Sequence, residues 1–341
     1  MSAALDGILV VDRSETVAGQ FCARLMADFG AEVMLEEPAG GSALRRLGPF
    51  DKAGHSLTFL HLNLGKTAGV PRRPPDVVIC APGEDPAALR AKAPGIVAVA
   101  ITPFGDDGPM AGWAGPEIVL QAASGMMNAN GIRGREPLYG VGNRAAYAAG
   151  LAAYVQVLVS LRVREQIGAG DTVRIDAAET AAAMCFPYVL QNFYNGTDCR
   201  RGDQDIPAGQ VLCRGSWVCL WVYSNRFERL CRALGLEDCL ADPRFAEVRE
   251  RSRNWPAFFD RVQEKVADRD PDALVAELQG LDVISARAFR PSEIRTSKHL
   301  AARGYWRRVE IGGVEHLIPG PPFRMSRTPA REPARQAHAA A

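Results

Sequence analysis

The residues able to do chemistry in this chain are a few acids, a few cations and one glycine-containing turn. Glu117 follows Gly115-Pro116 where a helix begins, and Asp176 closes the strand Thr172-Val173-Arg174-Ile175 just before another helix. A carboxylate in either place could act as a base or a nucleophile, although acids at helix starts more commonly cap free N–H groups and complement the helix dipole. Thr16-Val17-Ala18-Gly19 lies between the first strand and its helix, at the carboxyl end of the sheet, where free backbone N–H groups can hold a phosphate or an acyl oxygen. The stretch from Tyr139 to Gly150 opens a long Ala-rich helix and contains neither Asp nor Glu, so Ala146 has no carboxylate beside it in any register. An alanine methyl supplies neither a nucleophile nor a proton-transfer group.

The elements that must position these residues alternate between short apolar runs and helical periods. Gly7 to Val11 reads as a buried parallel strand ending in Asp12; Phe21, Leu25, Met26 and Phe29 then recur at helical spacing up to Gly30, and Glu32 to Leu35 resumes a strand. This βαβ unit, with further strands at 77–80 and 96–101, predicts an α/β fold with a doubly wound, Rossmann-like sheet. The segment between Lys66 and Asp76 is too short and too Pro-rich for a crossover helix and reads as a loop. Helices are expected over 145–164 and 177–189, with a strand at 172–175 between them.

A polar, Gly-bearing stretch at 195–209 separates this large domain, 1–195, from a smaller α+β domain, 210–295. The smaller domain opens with a hairpin turning at Arg214-Gly215-Ser216, and helices follow at 226–234, 257–267 and 271–278. Strands at 306–311 and 315–318 return the chain, over 300–329, to the large domain. The tail 330–341, rich in Ala and Arg without an apolar period, is expected to be mobile.

Bulk numbers bound the function. The chain has 341 residues, and its 40 Lys plus Arg balance 39 Asp plus Glu, so no global field would hold it to nucleic acid or to an anionic membrane. No basic leader or uninterrupted spanning run is read, which makes the cytoplasm the default compartment. Eight cysteines and five histidines are dispersed, with no C-x-x-C pair, and predict reduced, mostly buried thiols and no metal site.

Read in order, several segments carry a resemblance. They are Leu9-Val10-Val11-Asp12 with Val17-Ala18-Gly19 and the stretch LMADFGAEV at 25–33, then Glu37-Pro38-Ala39-Gly40-Gly41 with Arg45, and Asn63-Leu64-Gly65-Lys66. Thr102-Pro103-Phe104-Gly105, Gln121-Ala122-Ala123-Ser124-Gly125, the REQIGAG run at 164–170 and Arg327-Thr328-Pro329 follow. Together they resemble the family III coenzyme A transferases over nearly the whole chain.

The resemblance implies a two-domain subunit in dimers whose chains thread through each other like linked rings. It implies acyl-CoA and a carboxylic acid as substrates, with no tightly bound cofactor. It places Thr16, Val17 and Ala18 against CoA, and Arg45, Lys66, Arg133 and Arg135 beside its phosphates. In the formyl-CoA and carnitine-CoA enzymes an aspartate four residues before the helical glycine attacks the thioester, and that place is Ala146 here. Ile79-Cys80-Ala81 before Pro82-Gly83 stands where the family has Asn-Phe-Arg, so polar and stacking contacts to CoA are replaced by small apolar ones. The α-methylacyl-CoA racemases, which resemble this family, use a His and an Asp, and those places hold Pro116 and Ala146. The leading expectation is therefore an Asp-lacking subunit that works in a heterodimer with an Asp-bearing homologue, or sits in a homodimer. An independent acyl-CoA hydrolase or isomerase using Glu117 or Asp176, and a binding module without turnover, are the alternatives.

Overall fold

Burial on both faces of short apolar runs builds the sheet. The computed structural model describes residues 3–132, 134–197, 206–311 and 314–332. In it β1 (Leu9–Asp12), β2 (Glu32–Leu35), β3 (Thr67–Ala68), β4 (Val77–Ile79), β5 (Val97–Thr102) and β6 (Thr172–Asp176) form one sheet in the order β3-β2-β1-β4-β5-β6. Every pairing in it is parallel. Val10 faces one core with Val33, Val77, Ile79 and Val97, while Leu9 and Val11 face another with Met34, Val78 and Ile96. Both sheet faces are covered, which is why these strands read as continuous apolar runs instead of alternating ones. The order of winding reverses between β1 and β4, and such a switch leaves a crevice beyond the carboxyl ends of the strands.

Among the described residues, helices of this first unit are α1 (Val17–Asp28), α2 (Leu57–Asn63), α3 (Pro86–Lys92), α4 (Glu117–Ala123), α5 (Met126–Ala129), α6 (Arg144–Ile167), α7 (Ala177–Met184) and α8 (Phe186–Asn195). The segment read as a loop after Lys66 begins with a two-residue strand, because Thr67 and Ala68 complete the sheet edge against Met34 and Leu35. The helix expected over 177–189 is two helices joined at Cys185, and Pro187 falls in the first turn of the second, where its missing N–H has no intrahelical partner to lose. By length and composition α6 could cross a membrane. Its buried side, with Ala149, Ala153 and Val157, instead packs in the core against α1. The approach is close enough that a Cβ on Gly150 would stand 2.5 Å from the Ala18 carbonyl oxygen, so glycine is required there.

Residues 302–332 belong to the same unit. β10 (Trp306–Ile311) and β11 (Val314–Pro319) pair antiparallel, and Val309 and Ile318 pack on Leu60 and Leu64. The start of the expected mobile tail is tied down: Arg331 N–H donates to the Asp28 carbonyl at 2.7 Å, and its guanidinium pairs with Asp6. The remainder, 333–341, lies outside the described residues.

The second unit has its own core. β7 (Ala208–Cys213), β8 (Ser216–Trp221) and β9 (Ile284–Arg287) form an antiparallel sheet, covered by α9 (Phe227–Leu234), α10 (Pro243–Ala246), α11 (Val248–Val266) and α12 (Pro271–Gly280). Arg214 and Gly215 both adopt positive φ, 42° and 80°, the pattern that a two-residue hairpin needs to match strand twist. Helix α11 starts nine residues before the expected 257 and runs through Pro256, because buried Trp255, Phe258 and Phe259 anchor both sides of the proline.

In α2, burial pushes the His61 imidazole down to about 4, with the Arg24 guanidinium adding to the shift. Between pH 6.5 and 4 the unfolded chain therefore binds a proton that the folded chain refuses, so stability falls as pH falls through that window. For a half-buried ring the loss is about 2 kcal/mol. Urea unfolding of His61→Gln and the parent at pH 7 and pH 4.5 checks this: the parent's extra acid sensitivity should disappear in the variant.

Candidate functional site

Two hollows lie at the carboxyl end of the sheet. Thr16 caps α1, its hydroxyl accepting the Gly19 N–H at 3.1 Å, and this turn is held from beneath. Asp12, at the end of β1, accepts the Ser14 N–H at 3.0 Å and the Ser14 hydroxyl at 2.6 Å through one oxygen, and the Lys66 ammonium at 2.7 Å through the other. Lys66 also donates to the Gln20 carbonyl and the Asn63 side chain, both at 2.9 Å, and both charged side chains are fully buried. An ammonium has three donors, and all three are spent inside the protein. Desolvation lowers the Lys66 pKa, and the Asp12 charge works against that shift. Lys66 thus braces the β1–α1 turn and presents no N–H to a phosphate.

The other cations expected at phosphates are placed differently. Arg45 forms a two-pronged pair with Glu37, at 2.8 and 2.7 Å, and lies over the Phe59 ring. Arg135 is exposed and pairs with Glu136 at 3.2 Å. Arg133 lies outside the described residues. Asp176 caps α7 by accepting the Glu179 N–H at 3.0 Å and lines neither hollow.

The smaller hollow, about 180 Å³, is lined by Thr16, Val17, Ala18, Glu117, Asn143 and Ala146 among others. Asn143 is in the left-handed region, φ 53°, and its side chain does not cap α6. Glu117 from α4 does so instead, accepting the Ala145 N–H at 2.8 Å and the Ala146 N–H at 3.1 Å. Free N–H groups and the positive end of the helix dipole favour an anion at this point. Gln121, one turn along α4, donates to the same carboxylate at 2.7 Å and also exchanges two hydrogen bonds with the Gly140 backbone. The loop leading into α6 is therefore clamped to α4. Sequence reasoning missed Gln121 in this role, and the available signal was its position four residues after Glu117 on one helix face.

The larger hollow, about 610 Å³, opens over the β1/β4 switch and is bordered by Glu15, Ile79 to Pro86, Thr102, Asp106 and Arg174. Burial, with the Glu84 charge, pushes the Cys80 thiol up to about 12, so it is not a ready nucleophile. Arg174 bridges Asp106 at 2.6 Å and Asp85 at 3.2 Å. Arg13 bridges Glu36 and Glu84 at 2.7 and 2.8 Å.

A profile of CoA-transferase family III matches residues 5–70 and 78–338. The chain belongs to CoA-transferase family III. Among relatives, it is 26% identical over 329 residues to succinyl-CoA–D-citramalate CoA-transferase of Chloroflexus aurantiacus, covering 88% of this chain and 82% of that one. It is 25% identical over 360 residues to the alpha subunit of succinyl-CoA–L-malate CoA-transferase from the same organism, covering 96% and 84%. The probable CoA-transferase Rv1866 of Mycobacterium tuberculosis is 30% identical over 327 residues; the match takes in 87% of this chain and 41% of that longer protein. A CAIB/BAIF family protein from Brucella suis shares the fold with a TM-score of 0.85, at 23% identity and with 98% and 96% of the two chains covered.

Proposed function

We propose that this family III chain is the nucleophile-lacking subunit of a heteromeric CoA-transferase, acting with an Asp-bearing homologue on an acyl-CoA and a free carboxylic acid. The observation that carries the reading is the hollow at the start of α6, where Ala146 presents a methyl group and the adjacent carboxylate, Glu117, already accepts three hydrogen bonds. Transfer needs a carboxylate oxygen that attacks the thioester carbonyl, expels the CoA thiolate and forms a mixed anhydride. The thiolate then attacks the enzyme's carbonyl, releasing the first acid and leaving CoA as an enzyme thioester for the second. The homologue supplies that oxygen, and this chain supplies a wall formed by Thr16, Val17, Ala18 and Ala146. Relatives named as alpha and beta subunits of one transferase support an assembly of unequal chains.

A second reading has one observation in its favour: the Glu117 carboxylate lines the same hollow as Ala146. In that reading Glu117 reacts in the chain's own right.

The test is co-expression with a candidate Asp-bearing homologue from the same organism, followed by isotope-labelled exchange between succinyl-CoA and a panel of acids. Co-purification, with exchange by the pair and none by the chain alone, is the expected result. Exchange by the isolated chain at the rate of the pair would overturn the proposal.

A further inference from the structure

The larger cleft carries the wrong sign for the nucleotide end of CoA. Among the described residues, four carboxylates, Glu15, Glu84, Asp85 and Asp106, border it against one guanidinium, Arg174. That guanidinium is shared between Asp85 and Asp106, and the nearby Arg13 is held by Glu36 and Glu84. Lys66, which lies under the same turn, is turned inward onto Asp12. A nucleotide with a diphosphate and a further phosphate brings several negative charges, which require compact cations with donors to spare. Placing it here would bring those charges against carboxylates that already outnumber the cation, and drawing Arg174 toward a phosphate would strip Asp85 and Asp106 of their partner. The smaller hollow, with mostly apolar walls and a helix N-terminus that Glu117 already caps, is about 180 Å³ and suits the thioester arm rather than a nucleotide.

We propose that this chain leaves the nucleotide end of CoA unbound, so that a heteromer holds one CoA per pair of subunits, on the Asp-bearing homologue. The stoichiometry rests on the heteromer reading; the weak affinity of this chain does not.

Isothermal titration separates the two. The full chain alone, titrated with adenosine 3′,5′-bisphosphate and with CoA, should bind each more weakly than about 1 mM, whereas a dissociation constant below about 100 μM for either would overturn the proposal. Glu15→Gln combined with Asp106→Asn, which removes two of the four charges and frees one side of Arg174, should tighten binding of the bisphosphate by at least about tenfold. No change in a variant shown to be folded by circular dichroism would overturn the electrostatic cause. Native mass spectrometry of the complex with CoA should give one CoA per pair, and two per pair would refute the assignment. If no complex forms, the heteromer reading fails by itself and the two titrations still decide whether this cleft rejects the nucleotide.

Discussion

In a complex of this chain with an Asp-bearing homologue, replacing the homologue's aspartate by alanine is expected to lower CoA exchange at least about 10⁴-fold, whereas Glu117→Gln in this chain lowers it less than about tenfold. The asymmetry follows from what each carboxylate does. A covalent nucleophile cannot be replaced by binding energy, so its removal stops the reaction at the first bond-forming step. Glu117 has its oxygens committed to Ala145 N–H, Ala146 N–H and Gln121, and its duty is to close the α6 N-terminus and fix the loop before it. Glutamine keeps one good acceptor oxygen but loses the charge, so part of the favourable interaction with the helix dipole is lost while the fold persists. Steady-state exchange rates of the two variant complexes, with circular dichroism to verify folding, check the prediction. A loss of that size in the Glu117 variant, with little loss in the aspartate variant, would transfer the nucleophile's role to Glu117.

Lys66→Met should destabilise the chain by about 3–5 kcal/mol, because it leaves the Asp12 carboxylate buried without its cation. Both side chains of the pair are 0% exposed, so water cannot step in as it would at the surface. The Gln20 carbonyl and the Asn63 side-chain oxygen would lose their donor as well. Combining it with Asp12→Asn should recover at least about 2 kcal/mol, since the stranded charge is then gone while the neutral amide keeps an acceptor for Ser14. Urea unfolding of the single and double variants measures this directly. A single variant within about 0.5 kcal/mol of the parent would show that the network does not brace the turn. The same pair holds Ser14 at the start of the turn whose Thr16 lines the smaller hollow.

Much of the sheet was legible because burial on both faces writes itself into the chain as unbroken apolar runs, as in Leu9 to Val11 and Val97 to Val99. The two-residue β3 was not legible, since two residues have no period and their pairing partner is 33 positions away. Helix α11 was cut short at Pro256 because a proline inside a helix normally marks a boundary, and only the packing of Trp255 and Phe258 into one core overrides that local preference. In the site, the lack of an acid at Ala146 was readable directly, and so was the presence of Glu117 at a helix start. The use of Glu117 as a cap for a different helix, α6, was not, because donor and acceptor lie 28 and 29 residues apart.

Residue types by themselves determined what position 146 cannot supply: an alanine methyl carries no oxygen in any conformation, so no carboxylate can attack from there. Tertiary structure alone decided what the charged residues do. Lys66 is a cation of the kind that holds phosphates, but its placement beside Asp12, Gln20 and Asn63 turns it into an internal brace, while Arg45 pairs with Glu37 and stays partly exposed. The physical reason is that an ion pair depends on distance and dielectric, and both are set by the packing of segments that are remote in the chain.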